Sequence, residues 1–208
     1  MSPRRAAVLR DGGGEQSLRA HLIATAERMI SERGSVGLTV RGIAREAGVA
    51  DGVLYNHFAD KEELLAHALR ARVRAVERAL GDLPAPGSGT VEENLRVYLV
   101  HGLDLHRAIL PALAGLLGQP AVLARFADLV MPDEAWRDRL IAYLRAERDL
   151  GRLAPNAPVD AAARMMVGVC HEAVLSLSLH EAGPPDVARL GQEEVDALVD
   201  AVLHGIGR

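Results

Sequence analysis

Tyr55, Asn56, His57 and Phe58 stand in four consecutive positions, and Lys61, the only lysine of the chain, follows three residues on. Tyr55 and Phe58 are two of only six Tyr, Phe and Trp residues in 208. A phenol, a carboxamide, an imidazole and an ammonium so close together can hydrogen-bond and can meet an anion. They do not make a bond-breaking centre. The chain has no nucleophile elbow, P-loop, dinucleotide fingerprint or carboxylate–histidine metal motif, which argues against an all-α enzyme. "CHEA" (Cys170 to Ala173) invites a metal reading, but the second histidine of a zinc-protease pattern is replaced by Leu175. A regulatory metal on Cys170, His171, His101 or His106 is the minor alternative, and the expectation is no metal and no cofactor.

The elements that must position the cluster read as helices. Leu22, Ile23, Ala26, Met29 and Ile30 recur on one face between Ser17 and Arg33, and Gly34 supplies a stop. Thr39 can cap a short helix over Val40 to Ala47, with Gly48 just past its end, where a left-handed residue is needed. A third helix follows from Asp51 to Phe58. Its Leu54 and Phe58 share a face that can pack on Ile43, Ala44 and Val49, while Val53, Asn56 and His57 fall opposite and Tyr55 lies at the flank. Two short helices meeting at Ala47-Gly48 describe a helix-turn-helix. The second is about 12 Å long at ~1.5 Å per residue, enough to enter a DNA major groove. Asp60 then caps a long helix to about Leu83, with Glu62 and Glu63 in its first turn.

Beyond "PAPGSGT" (Pro84 to Thr90), a linker by composition, helices are expected at about 91–109, 120–130, 133–150, 158–182 and 190–206. Pro111, Gly118-Gln119-Pro120, Met131-Pro132-Asp133, Gly151, Pro155 to Pro158 and Gly183-Pro184-Pro185 separate them. The fold class is therefore all-α: a disordered tail over 1–16, a three-helix head over 17–60, a connecting helix over 61–83 and a helical body over 84–208. The single Cys170 fits a reducing compartment, no apolar run reaches the ~20 residues of a membrane helix, and the arginine pair at the start is not a secretory signal. A cytoplasmic protein is expected. The net charge of −4 is uneven: nine basic and seven acidic residues up to Lys61 leave +2 there and −6 beyond, so a polyanion partner belongs to the N-terminal part.

The run "LTVRGIAREAGVADGVLYNHFADKEELL" (Leu38 to Leu65) resembles the DNA-binding head of the TetR family of transcriptional regulators. The resemblance includes the first helix from about Arg19 and covers about 50 residues; the rest of the chain resembles the family only in plan. It implies phosphate contacts from Thr39, Tyr55, His57 and Lys61, and base reading by Arg41, Ala50, Asp51, Gly52, Val53 and Asn56. Asp51 departs from a common pattern, because a carboxylate repels phosphate. Its expected job is to N-cap the recognition helix, with a contact to cytosine N4 as the alternative. The resemblance further implies a homodimer through the last two helices, an inverted-repeat operator in double-stranded DNA, and a small-molecule effector held in the body. His106, Arg107, Trp136, Tyr143, Met166, Cys170 and His171 are the candidate effector contacts, each of which is as readily read as core or surface. A ligand-responsive homodimeric repressor is thus expected, with an activator or effector-independent regulator of the same fold as the alternative.

Overall fold

Helix is the only regular structure among the described residues. The computed structural model describes residues 14–35, 37–131, 134–179 and 190–205. Its elements are α1 (Gly14–Arg33), α2 (Val40–Ala47), α3 (Asp51–His57), α4 (Lys61–Leu80), α5 (Val91–Ala114), α6 (Pro120–Leu129), α7 (Trp136–Asp149), α8 (Val159–Leu179) and α9 (Gln192–His204). α1 starts at Gly14, so residues 14–16 are helical and not part of a tail; the remainder of the expected tail lies outside the described residues. The stop expected at Gly183-Pro184-Pro185 also lies outside them. α4 ends at Leu80, before Gly81, and not at Leu83.

The chain forms two compact units. One is formed within Met1–Val76 together with Ile109–Val130; the other comprises Glu77–Ala108 and Met131–Arg208. The boundaries fall inside α4 and inside α5, whereas composition places them at 60/61 and 83/84. In the first unit Leu22, Ala26 and Ile30 of α1, Ile43 and Ala44 of α2, Leu54 of α3 and Leu64, Leu65, Ala68 and Leu69 of α4 are buried together. Burying each of the leucine and isoleucine side chains is worth about 1.5–3 kcal/mol. Ala112, Leu116 and Val122 join the same core, with Leu123, Phe126 and Leu129 packed against it. Ser35 Oγ, also buried, donates to the carbonyl of Ala112 at 2.8 Å.

That burial explains why α5 runs through Pro111 to Ala114, where the sequence reads as a break. Proline removes one ladder hydrogen bond and crowds the turn before it. Seating Ala112 and Leu116 in the core offsets that loss.

In the second unit, Tyr98 of α5 stacks on Tyr143 of α7 with ring centroids 4.7 Å apart. Arg96 bridges to Asp196 of α9 at 2.5 Å, Arg139 to Glu77 at 2.6 Å, and Arg145 to Asp160 of α8 at 3.0 Å. "PAPGSGT" is tied down rather than loose. Glu147, with no exposed surface, accepts from the Gly87 amide at 3.1 Å and faces Arg152 Nε at 3.3 Å. Asn94 Nδ2 and Arg152 Nη2 donate to the carbonyls of Ser88 and Gly89 at 2.7 and 2.5 Å. A buried carboxylate requires such partners, and they hold the loop in one conformation.

Leu116→Ala, distant in sequence from α1–α3, should destabilise the first unit by about 2–5 kcal/mol. Amide hydrogen exchange in α1, α2 and α3 would accelerate together; unchanged exchange there would detach Leu116 from that core.

Candidate functional site

The turn between α2 and α3 is built by a few local devices. Thr39 has extended backbone and its Oγ1 accepts from the Gly42 amide at 3.0 Å, starting α2 as its residue type predicts. Gly48 takes φ 71°, a conformation that costs a β-carbon dearly, and the Gly48 and Val49 amides return to the carbonyls of Arg45 and Ala44. α3 then starts with Ala50 as the capping residue and makes no side-chain cap. The expected cap by Asp51 is therefore corrected: Asp51 is the first helical residue, and its Oδ2 lies 3.3 Å from Arg41 Nε. One position inside the helix, its carboxylate still favours the helix N-terminus through the dipole.

α3 divides as its spacing requires. Leu54 and Phe58 are buried inward. Asp51, Gly52, Tyr55 and Asn56 are exposed, with Tyr55 at 60%, while Val53, His57 and Lys61 are half-buried. Thr39, Arg41 and Ala50 are exposed at the neighbouring start of α2 and the turn. A β-carbon added at Gly52 would meet nothing within 4 Å, so an incoming surface can approach its backbone closely.

Arg19 of α1 secures the far end of α3. Its Nε donates to the His57 carbonyl at 3.4 Å, its guanidinium lies 4.6 Å from the Phe58 ring centroid, and its Nη2 reaches Glu63 Oε1 at 3.0 Å. It also donates to His67 Nε2 at 2.9 Å, which requires that nitrogen to be unprotonated. Burial, then the Arg19 charge, pushes the His67 pKa down. Arg19 is the residue that sequence reasoning passed over. Its one signal is its place near the start of the resemblance.

In the second unit, His106, Trp136 and His171 come together. The His106 ring meets Trp136 edge-on at 5.5 Å and His171 at 5.0 Å. His106 Nδ1 lies 2.6 Å from the Gly102 carbonyl, so Nδ1 carries a proton and donates it there. Arg107 pairs with Asp104 at 3.0 Å. Met166 and Cys170 are buried on α8, whereas His171 is exposed. Tyr143 belongs to the stack with Tyr98. Burial raises the Cys170 thiol to about 12, a poor metal ligand or nucleophile. Among the described residues no group of three or more His, Cys, Asp and Glu could hold a metal ion. Trp136 Nε1 and His101 Nε2 are buried without a hydrogen-bond partner among the described residues.

Trp136 lies directly over Gly102. A β-carbon there would stand 2.4 Å from its Cζ2. A glycine inside an otherwise regular helical pattern was the available signal for this contact. Nothing in "RAERD" announces that Glu147 is buried, because a charge-rich helix segment reads as solvated.

Residues 22–68 match the pattern described as bacterial regulatory proteins of the tetR family. The chain carries a TetR-family head. The repressor KstR2 of Mycobacterium tuberculosis is 46% identical over 61 residues, which cover 29% of this chain and 30% of that protein. The chain thus matches less than a third of the length of that curated relative. Among solved structures, a putative transcriptional regulator from Pseudomonas aeruginosa PAO1 is similar over 97% of this chain and 94% of its own, with TM-score 0.67 and 23% identity. FadR from Bacillus subtilis, in complex with stearoyl-CoA, is similar over 90% of this chain and 99% of its own, with TM-score 0.61 and 19% identity. These likenesses are of fold, and they run over most of the chain.

Gly102→Ala should cost about 1–3 kcal/mol by overpacking. Trp136 is the only tryptophan, so its fluorescence and near-ultraviolet dichroism would change with it; a spectrum like the wild type at unchanged melting temperature would contradict the contact.

Burial also lowers the pKa of His101 and His106, as it does for His67. Their folded values lie below the unfolded value of about 6.5. The folded state takes up protons later than the unfolded one, so the stability present above that value is lost as the pH falls below it. The melting temperature should therefore decline on acidification from about pH 7 towards 5.5, and a flat profile would count against this assignment.

Proposed function

We propose that the chain is a sequence-specific DNA-binding transcriptional regulator, acting as a homodimeric repressor that a small-molecule effector releases from its operator. The observation that carries this reading is the outer face of α3, where Tyr55 and Asn56 project from a two-turn helix whose inner face is locked by Leu54 and Phe58. Asn56, Val53, Gly52, Asp51, Ala50 and Arg41 read bases, while Thr39, Tyr55, His57 and Lys61 hold phosphates and set register. Free amides at the start of α2 add to the phosphate contact. DNA binding falls to residues 17–60 with Lys61 at the start of the connecting helix 61–83, and effector binding and dimerisation to residues 84–208. An operator-bound regulator works in the cytoplasm, and among the described residues no helix is long and apolar enough to cross a membrane.

Dimerisation through α8 and α9 is supported by α8, which leaves Ala161, Met165, Gly168 and Leu175 exposed along one stripe. Val195 and Val199 of α9 are buried within the chain, so Leu198, Val202 and Leu203, half-buried, are the larger apolar α9 residues left for a partner. Effector binding is supported by Trp136 Nε1, buried without a hydrogen-bond partner among the described residues, on a ring that meets His106, which in turn meets His171. A ligand there offers a hydrogen-bond acceptor to Trp136 and apolar surface to Met166. α4, continuous from Lys61 to Leu80, links the two activities covalently. A coupling of about 1–3 kcal/mol would change operator affinity 5- to 150-fold.

The test is selection of duplexes from a random-sequence pool by the full chain. The enriched sequences should form an inverted repeat with half-sites about one helical turn apart or a multiple of it. On that duplex, Lys61→Ala should weaken binding to all sequence variants alike and flatten the log K against log salt slope by about 1. Asn56→Ala should change the ranking of variants, by about 1–3 kcal/mol at one base pair. No enrichment, or a Lys61→Ala protein with altered sequence preference and an intact slope, would overturn the assignment.

A further inference from the structure

We propose that Arg125 of α6 is a positioning residue for the DNA phosphate contact of Lys61, an inference that rests on the DNA-binding reading above. Lys61 opens α4 in an acidic setting. Asp60 precedes it and Glu62 and Glu63 follow. Carboxylates suit a helix N-terminus, and Asp60 uses this: its Oδ1 accepts from the Glu63 amide at 2.9 Å. The same carboxylates repel a phosphate that approaches Lys61, and they compete with it for the ammonium.

Two arginines from other elements answer two of these charges. Arg19 of α1 holds Glu63 at 3.0 Å. Arg125 Nη1 donates to the capping oxygen Oδ1 of Asp60. The pairing, followed by the Glu63 amide, lowers the pKa of the Asp60 carboxyl. Arg125 is carried to this point by its own helix. Val122, three residues earlier, is fully buried in the core of the first unit, and Phe126, the next residue, packs against that core. Asp60 can therefore cap α4 while Lys61 remains available to a phosphate. Without Arg125, the carboxylate next in sequence to Lys61 is free to take its ammonium.

The experiment uses the full chain and a duplex that the wild type has enriched from a random pool, with affinity measured over a salt series. Arg125→Ala should lose about three- to tenfold in affinity at about 50 mM salt, and its log K against log salt slope should shrink by about 0.9, the change for one phosphate contact. Arg125→Lys should stay near wild type. Asp60→Ser keeps a capping oxygen and removes the charge, so it should bind at least as tightly as wild type. The double variant Arg125→Ala with Asp60→Ser should recover both affinity and slope. Wild-type binding by Arg125→Ala would overturn the proposal. So would a weakened Arg125→Ala with intact slope and a lowered melting temperature, or a double variant no better than Arg125→Ala, since each means that Arg125 acts through packing alone. A wild type that enriches and binds no duplex removes the DNA-binding reading itself, and is seen before any variant is made.

Discussion

A helix of seven residues does not hold its own shape in water, because nucleating the first turn costs more than two turns return. α3 is such a helix, and it has no side-chain cap at its start. Everything that can be built on its outer face depends on the burial of Leu54 and Phe58 among α1, α2 and α4. Arg19 completes that arrangement from α1 by reaching the His57 carbonyl, the Phe58 ring and Glu63 at once. The polar groups of Tyr55 and Asn56 are presented rigidly because the apolar half of the same two turns has nowhere else to go.

The same unit draws in residues far along the chain. Ala112, Leu116 and Val122 pack with the N-terminal helices, and Ser35 fixes the Ala112 carbonyl. Contacts so distant in sequence make the head more than a local motif. They also place an arginine, Arg125, on the Asp60 carboxylate at the acidic start of α4. The helix dipole favours a carboxylate on that turn, and the guanidinium beyond it offsets the charge of the cap.

In the second unit the chemistry is of burial. Glu147 is fully enclosed and turns a flexible-looking Pro-Gly-Ser segment into an ordered loop by accepting from its backbone. Trp136 rests on Gly102 and against His106, and its indole N–H has no partner among the described residues. Such a buried donor carries an energetic cost unless something accepts from it.

Much of this was legible before any coordinates. The helical class, the caps at Thr39 and Asp60, the left-handed Gly48 and the inward pair Leu54 and Phe58 follow from residue type and a period of 3.6, which are local properties. Local signals also misled. Pro111 reads as a stop, Asp51 as a cap and "PAPGSGT" as a linker. For two of these a distant partner decides otherwise: a distant core for α5, and Glu147 with Arg152 for the loop; Asp51 falls one position inside the helix, behind Ala50. The sequence by itself determined which segments are helical and which face of α3 is polar, because spacing along one helix encodes both. Only the tertiary structure decided that α6 belongs with the head, that Arg125 meets Asp60, and that Gly102 makes room for Trp136. Those depend on which elements pack together, and neither periodicity nor composition carries that information.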